Sequence, residues 1–173
     1  KFIMEDVNKD GQISDDDRTY VGDAQPDLTF GWQNNFTWKN WDFSFFFRGT
    51  IGNKVLNNPR AAYANNTYLI GTNALDDELT YTMKESSRVC SYYLENGSFI
   101  RLDNLALGYT FDTKKINWLD KARLYFAAQN LFVITGYKGL DPEVELFRGE
   151  SSDTDAGLSP GIEPRQFFPK ART

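Results

Sequence analysis

The chain has 173 residues, a formal net charge of −5, no histidine and a single cysteine, Cys90. An acidic balance disfavours nucleic acid, which asks for a basic surface. The lack of histidine removes the commonest general base and metal ligand, and one cysteine cannot form an internal disulfide. Aromatic residues make up 16% of the chain, with 14 Phe, 9 Tyr and 4 Trp. No apolar run approaches the roughly 20 residues of a membrane-spanning helix. A membrane β-barrel stays open, because its strands show about ten alternating residues each and leave overall hydropathy low.

The chain opens on KFIMEDVN, without an initiator Met or a signal peptide, and stops at PKART. Both ends read as cuts, so the sequence is expected to be part of a longer protein. Residues 1–27 hold the first motif, D-x-N-x-D-G-x-I-x-x-x-D. Asp6, Asn8 and Asp10 take positions 1, 3 and 5 of an EF-hand-type loop, Gly11 the turn and Asp17 position 12. Alternate oxygen ligands suit a calcium ion because the backbone wraps around it. The Gln12 carbonyl and Ser14 at position 9 complete the expected ligand set of a structural Ca2+ site. Two features depart from the motif: Asp17 is shorter than the usual Glu, and no amphipathic helix precedes the loop. The competing reading is a solvated, metal-free Asx-turn loop.

Beyond a turn at 23–26, Leu28, Phe30, Trp32, Phe36 and Trp38 alternate with Thr29, Gly31, Gln33, Asn35 and Thr37, with Asn34 as a polar intruder on the apolar side. After Lys39-Asn40 a second alternation begins. Trp41, Phe43, Phe45, Phe47 and Ile51 fall on one face, and Asp42, Ser44, Phe46, Arg48 and Thr50 on the other. Two such runs joined by so tight a turn predict a hairpin. Residues 53–97 show no sustained period and read as a long loop. A third strand is expected over 98–111, where strict alternation places Leu105, Leu107, Tyr109 and Phe111 on one face together with Arg101 and Asp103. Residues 112–121 form a short charged connection. A fourth strand over 122–135 alternates too poorly for its faces to be assigned. Residues 136–170 read as a second long loop, with 149–155 the mobile part.

Short and long connections therefore alternate between four long strands. That asymmetry is the mark of an up-and-down transmembrane β-barrel, with short turns at the periplasmic rim and long loops outside. A soluble sandwich has no need of it. The predicted organisation is an acidic loop at 1–27, extracellular, followed by barrel strands and loops over 28–173.

The stretches DVNKDGQISDDDRTYVGDAQPDLTFGW, NWDFSFFFRGTIGNKVLN, YYLENGSFIRLDNLALGYTF, ARLYFAAQNLFVITGYKGLDPEV and FFPKART resemble, in order, the C-terminal part of SusC/RagA-type TonB-dependent outer-membrane receptors. The resemblance implies an all-β, antiparallel barrel of 22 strands in the Gram-negative outer membrane, of which one final strand, the plug domain and the TonB box lie outside this chain. It further implies import of oligosaccharides, or peptides in some members, powered through TonB and shared with a SusD-like lipoprotein that closes as a lid. The partners expected are thus that lipoprotein, TonB, outer-membrane lipid and the imported oligosaccharide or peptide, and no nucleic acid. No catalytic residues are expected.

The residues admit two other classes of function. A secreted, calcium-stabilised β module could bind glycans by stacking sugar rings on Tyr92, Tyr93 and Trp32. An enzyme of the glycosidase type would need two positioned carboxylates across a cleft. Asp15-Asp16 and Asp76-Asp77 are more simply read as solvated loop charge.

Overall fold

The computed structural model describes residues 3–64, 75–77, 90–113, 119, 121–144 and 161–163. The stretch 149–155, most of the connection 112–121 and the terminal FFPKART lie outside them.

Four long strands form one antiparallel sheet. They are β1 (Leu28–Trp38), β2 (Trp41–Ile51), β5 (Phe99–Phe111) and β6 (Ala122–Thr135), in the spatial order β1-β2-β5-β6. This is the up-and-down order expected of the fold. β1 and β2 pair without interruption from Leu28 opposite Ile51 to Trp38 opposite Trp41. The Lys39-Asn40 turn closes them, with Lys39 at a positive φ of 54°, as the first central residue of a II′-type turn requires.

Residues directly opposite one another in a sheet share a face, so the register sorts the side chains. One face carries Trp32, Phe43, Phe45, Phe47, Leu105, Leu107, Tyr109, Leu124 and Phe126. Its rings touch: Trp32 meets Phe45 edge-on at 5.0 Å and Phe47 at 6.1 Å, and Trp41 lies 4.7 Å from Tyr109. Asn34 sits on this face opposite Phe45, as its position in the alternation predicts. The other face carries Gln33, Ser44, Phe46, Asn104 and Gln129 among polar neighbours. The register also settles β6, whose Leu124, Phe126 and Phe132 lie on the apolar face.

Strict alternation fails in β5. Phe46 faces Asn104 but Phe47 faces Leu102, so Asp103 is an extra residue, a β-bulge. Arg101 therefore stands opposite Arg48 on the polar face. It does not share a face with Leu105 and Leu107, as simple parity predicts. β6 carries a matching irregularity, with Leu102 opposite Phe132 and Asn104 opposite Gln129, and Asn130 at a φ of 51° between them.

By spatial clustering the chain forms two compact units. The sheet belongs to the one built from Pro26–Asn53 and Asn96–Glu143. The other holds the N-terminal stretch Lys1–Gln25, together with Lys54–Glu95 and Val144–Phe167. Its described residues are not wholly irregular. β3 (Lys54–Leu56) pairs with β4 (Leu94–Asn96), and a short helix α1 (Asn58–Tyr63) lies between them in sequence. Asn57 caps α1 by accepting from the Arg60 N–H at 2.9 Å, and Pro59 stands in its first turn. Three- to six-residue elements are too short for periodicity to register. Arg60 then reaches Asp77 at 2.7 Å and Glu95 at 3.2 Å. Ile162 bridges to Leu56 in parallel.

Candidate functional site

The acidic loop folds around its own carboxylates. Asp6 accepts hydrogen bonds from the backbone N–H of Asp10 at 3.2 Å and Gly11 at 2.8 Å. Asn8 accepts from the Asp10 N–H at 2.9 Å, and Asp10 from the Gln12 N–H at 2.7 Å. Asp17 accepts from Val7 at 2.9 Å and from Ser14 at 2.7 Å, joining the two ends of the motif. Ser14 in turn accepts from the Asp16 N–H at 3.2 Å, which makes Ser14 and Asp17 a capping box on the 3-10 turn Asp15–Asp17. The N–H of Ser14, first of several donors, holds the Asp17 carboxyl below the usual carboxylate range. Gly11 at a φ of 83° and Lys9 at 62° make the sharp turn.

Asp6, Asn8, Asp10, Gln12, Ser14 and Asp17 thus share one loop, and all would offer oxygen. Among the described residues, no three Asp, Glu, Cys or His side chains converge closely enough to hold a metal ion. The set fits calcium in kind: Asp6 and Asp10 accept one N–H per oxygen and Asp17 three in all, so each carboxylate keeps at least one lone pair. An ion would have to draw those carboxylates together.

A second cluster lies on the polar face of the sheet. The Arg48 guanidinium forks onto Glu143: Nη1 donates to Oε1, and Nη2 to Oε2 at 2.8 Å. Its Nε lies 3.4 Å from Asp103, the bulged residue. Arg101, 1% exposed, donates from Nη2 to Asp141 at 2.5 Å and from Nη1 to Asn130. Among the described residues its Nε has no hydrogen-bond partner; it lies 3.7 Å from Glu143, and its guanidinium sits 5.5 Å from the Phe99 ring centre. The Glu143 N–H donates to Asp141 at 2.9 Å. Asp141 and Glu143 thereby bring the segment after β6 back onto the face that holds Arg48 and Arg101. No sequence motif marks this cluster. Its signal was nonetheless present, because charges inside a candidate spanning strand demand partners.

Nearer the hairpin, Arg123 donates to Asp42 at 2.6 Å across β5. Gly108 lies beneath that pair, and a Cβ there would come within 2.5 Å of Asp42 and 2.7 Å of Arg123. Of the three aromatics weighed as sugar platforms, Trp32 is on the apolar face and Tyr93 is 1% exposed. Tyr92 and Trp32 both present open rings, 50% and 58% exposed, and Tyr92 has the Arg60 guanidinium 5.4 Å from its centre.

A sheet with one aromatic face, one polar face, and strands of 11 residues or more is a piece of the wall of a transmembrane β-barrel. At about 3.4 Å per residue and a 35–45° tilt, 11 residues rise roughly 26–31 Å, enough for an apolar band about 25 Å tall. Comparison with known proteins agrees. The chain is 34% identical over 176 residues to TonB-dependent receptor P3 of Formosa agariphila, covering 94% of this chain and 17% of that one. It is 30% identical over 154 residues to TonB-dependent receptor SusC of Bacteroides thetaiotaomicron, covering 81% and 15%. Among solved structures it matches the RagAB peptide importer in its closed-closed state, with a TM-score of 0.66, 26% identity, and coverage of 93% of this chain and 18% of that one. No family model matches. The chain belongs to the SusC/RagA-type TonB-dependent receptors of the outer membrane, as a segment of their barrel. It spans under a fifth of the length of the curated relatives it matches.

Proposed function

We propose that this chain is the C-terminal part of the barrel of a TonB-dependent importer, one that takes up oligosaccharides or peptides together with a SusD-like lipoprotein lid. The observation that carries the proposal is the two-faced sheet, aligned over nearly its whole length with receptors of this kind. Phe43, Phe45 and Phe47 then face lipid, while Asp42, Ser44 and Arg48 face a wet lumen. The long connections lie outside, where the lid and the ligand arrive. Relatives named as receptors or importers speak for transport and against an enzyme.

The test is deletion of the full-length gene in its Gram-negative host, followed by growth on single oligosaccharides or on peptides as the carbon source. Loss of growth on one class, restored by complementation, is expected. A tagged receptor should also bring down a surface lipoprotein. Unchanged growth on both classes, with the receptor recovered alone, would defeat the proposal.

A structural calcium ion at the acidic loop belongs to the same proposal. Asp6, Asn8, Asp10 and Asp17 would supply side-chain oxygens, Gln12 its carbonyl, and Ser14 a direct or water-mediated contact. A dissociation constant on the order of 10⁻⁴–10⁻³ M is expected, as in extracellular modules. Hydrogen exchange over residues 6–17 of the full-length receptor should slow as calcium is added. No slowing at millimolar calcium would leave the metal-free turn.

A further inference from the structure

Three departures from regular strand converge on one place. The bulge at Asp103 turns Arg101 to the polar face, the irregularity at Asn130 sets an amide against Arg101, and the chain after Thr135 turns back so that Asp141 and Glu143 meet the two guanidiniums. The backbone is tied as well. Thr135 donates from Oγ1 to the Ser98 carbonyl at 2.9 Å and accepts from the Tyr137 N–H at 3.1 Å. Tyr137 is 7% exposed and Asp141 4%, whereas Leu140 between them is 61% exposed. The segment is therefore held at both ends and bowed outward in the middle.

Stability alone does not call for such a cluster. A buried ion pair adds little over apolar residues of similar volume, but losing one partner is costly. What the arrangement supplies is geometry. Arg48 presents two parallel N–H groups to Glu143, which a lysine ammonium cannot match. We propose that Arg48 and Arg101 are positioning residues that latch residues 137–143 to the polar face as a fixed strap. Both guanidiniums are engaged by carboxylates of the same chain, so neither serves as a docking point for an anionic ligand in the lumen.

Lys138, exposed within the strap, provides the readout. Trypsin cuts only where several residues can leave their place, so cleavage tracks the population of the opened strap. Full-length receptor, purified in detergent and checked for a closed barrel by its heat-modifiable migration, is treated with trypsin. Cleavage after Lys138 is followed by mass spectrometry. Wild type should resist at Lys138, and R48E should be cut roughly tenfold faster or more. E143Q, which removes the carboxylate from the other side of the fork, should likewise be cut faster than wild type. R48K, which keeps the charge and loses the fork, should fall between wild type and R48E. If R48E does not assemble, the comparison of R48K with wild type decides alone. Cleavage of wild type as fast as of R48E or R48K, or an E143Q that resists like wild type, would overturn the proposal.

Discussion

The two hairpins of the sheet are built differently. β1 and β2 pair residue for residue through all 11 positions. β5 and β6 pair regularly only from Asn104 opposite Gln129 down to Phe111 opposite Ala122, and again above a break at Leu102. The regular hairpin is sorted by the period of the strand alone, and its charges stay few. The irregular pair carries Arg101 and Asp103, charges that parity would send to the apolar face. One extra residue turns both toward partners on the other side. A bulge thus lets a strand hold charges at positions where its alternation would otherwise forbid them.

The largest effect expected lies in the irregular pair. Arg101→Met leaves Asp141 buried without its guanidinium and should cost about 3–5 kcal/mol, read as a lowered denaturant midpoint for the receptor in lipid vesicles. A change under about 1 kcal/mol, as for an exposed pair, would mean that this cluster is open to water.

Next comes the regular hairpin. Phe45→Arg, near the middle of β2, should cost roughly 2–4 kcal/mol in the same assay. Ser44→Arg, one residue away on the polar face, should cost much less. Equal losses would break the assignment of faces. Gly49→Ala tests the junction of β2 with both neighbours. A Cβ there would press on the Phe99 carbonyl and come within 2.8 Å of the Phe30 ring. Overpacking of this kind costs roughly 1–3 kcal/mol. A neutral Gly49→Ala would mean that the strands can spread.

A change of opposite sign is expected at the turn. Lys39 holds a positive φ, a conformation that costs a residue with a Cβ roughly 1 kcal/mol. Lys39→Gly should raise the unfolding midpoint slightly, less whatever the Lys39 ammonium gains 5.1 Å from the Trp38 ring. A lowered midpoint would mean that this cation–π contact outweighs the strain.

The smallest effect is local to the acidic loop. Hydrogen bonds, that from the Ser14 N–H foremost, depress the folded-state pKa of Asp17 below its ordinary value of 3.8. The order that Asp17 confers is complete above that ordinary value and is lost as pH falls through the depressed one. Amide exchange at Val7 and Ser14, corrected for the intrinsic pH dependence, should quicken on acidification, and Asp17→Asn should weaken that response. Exchange at those amides that stays unchanged through the acid range would show that Asp17 does not hold the loop.

Much of the sheet was legible in advance because its signal is local. The alternation from Leu28 to Trp38 and from Trp41 to Ile51, with only two residues between, is enough to define a hairpin and its faces. The strand Ala122–Thr135 was found at its true ends, but its faces were hidden. Asn130 shifts the period midway, and a fixed period of two then averages over both faces. The latch was missed for a different reason. Arg48 and Glu143 are 95 residues apart in sequence, and only the fold brings them together. The EF-hand-like motif did locate a loop organised by Asp6, Asp10 and Asp17, while its spacing alone could not tell backbone N–H partners from a cation.

Phe30 stands directly opposite Gly49, its ring laid over the glycine. In evolutionary terms the two positions are not interchangeable. A lineage that surrenders the ring at 30 gains no room for a side chain at 49, because the Phe99 carbonyl on the other neighbouring strand still bars it. Among relatives, position 49 should therefore stay glycine whatever stands at 30.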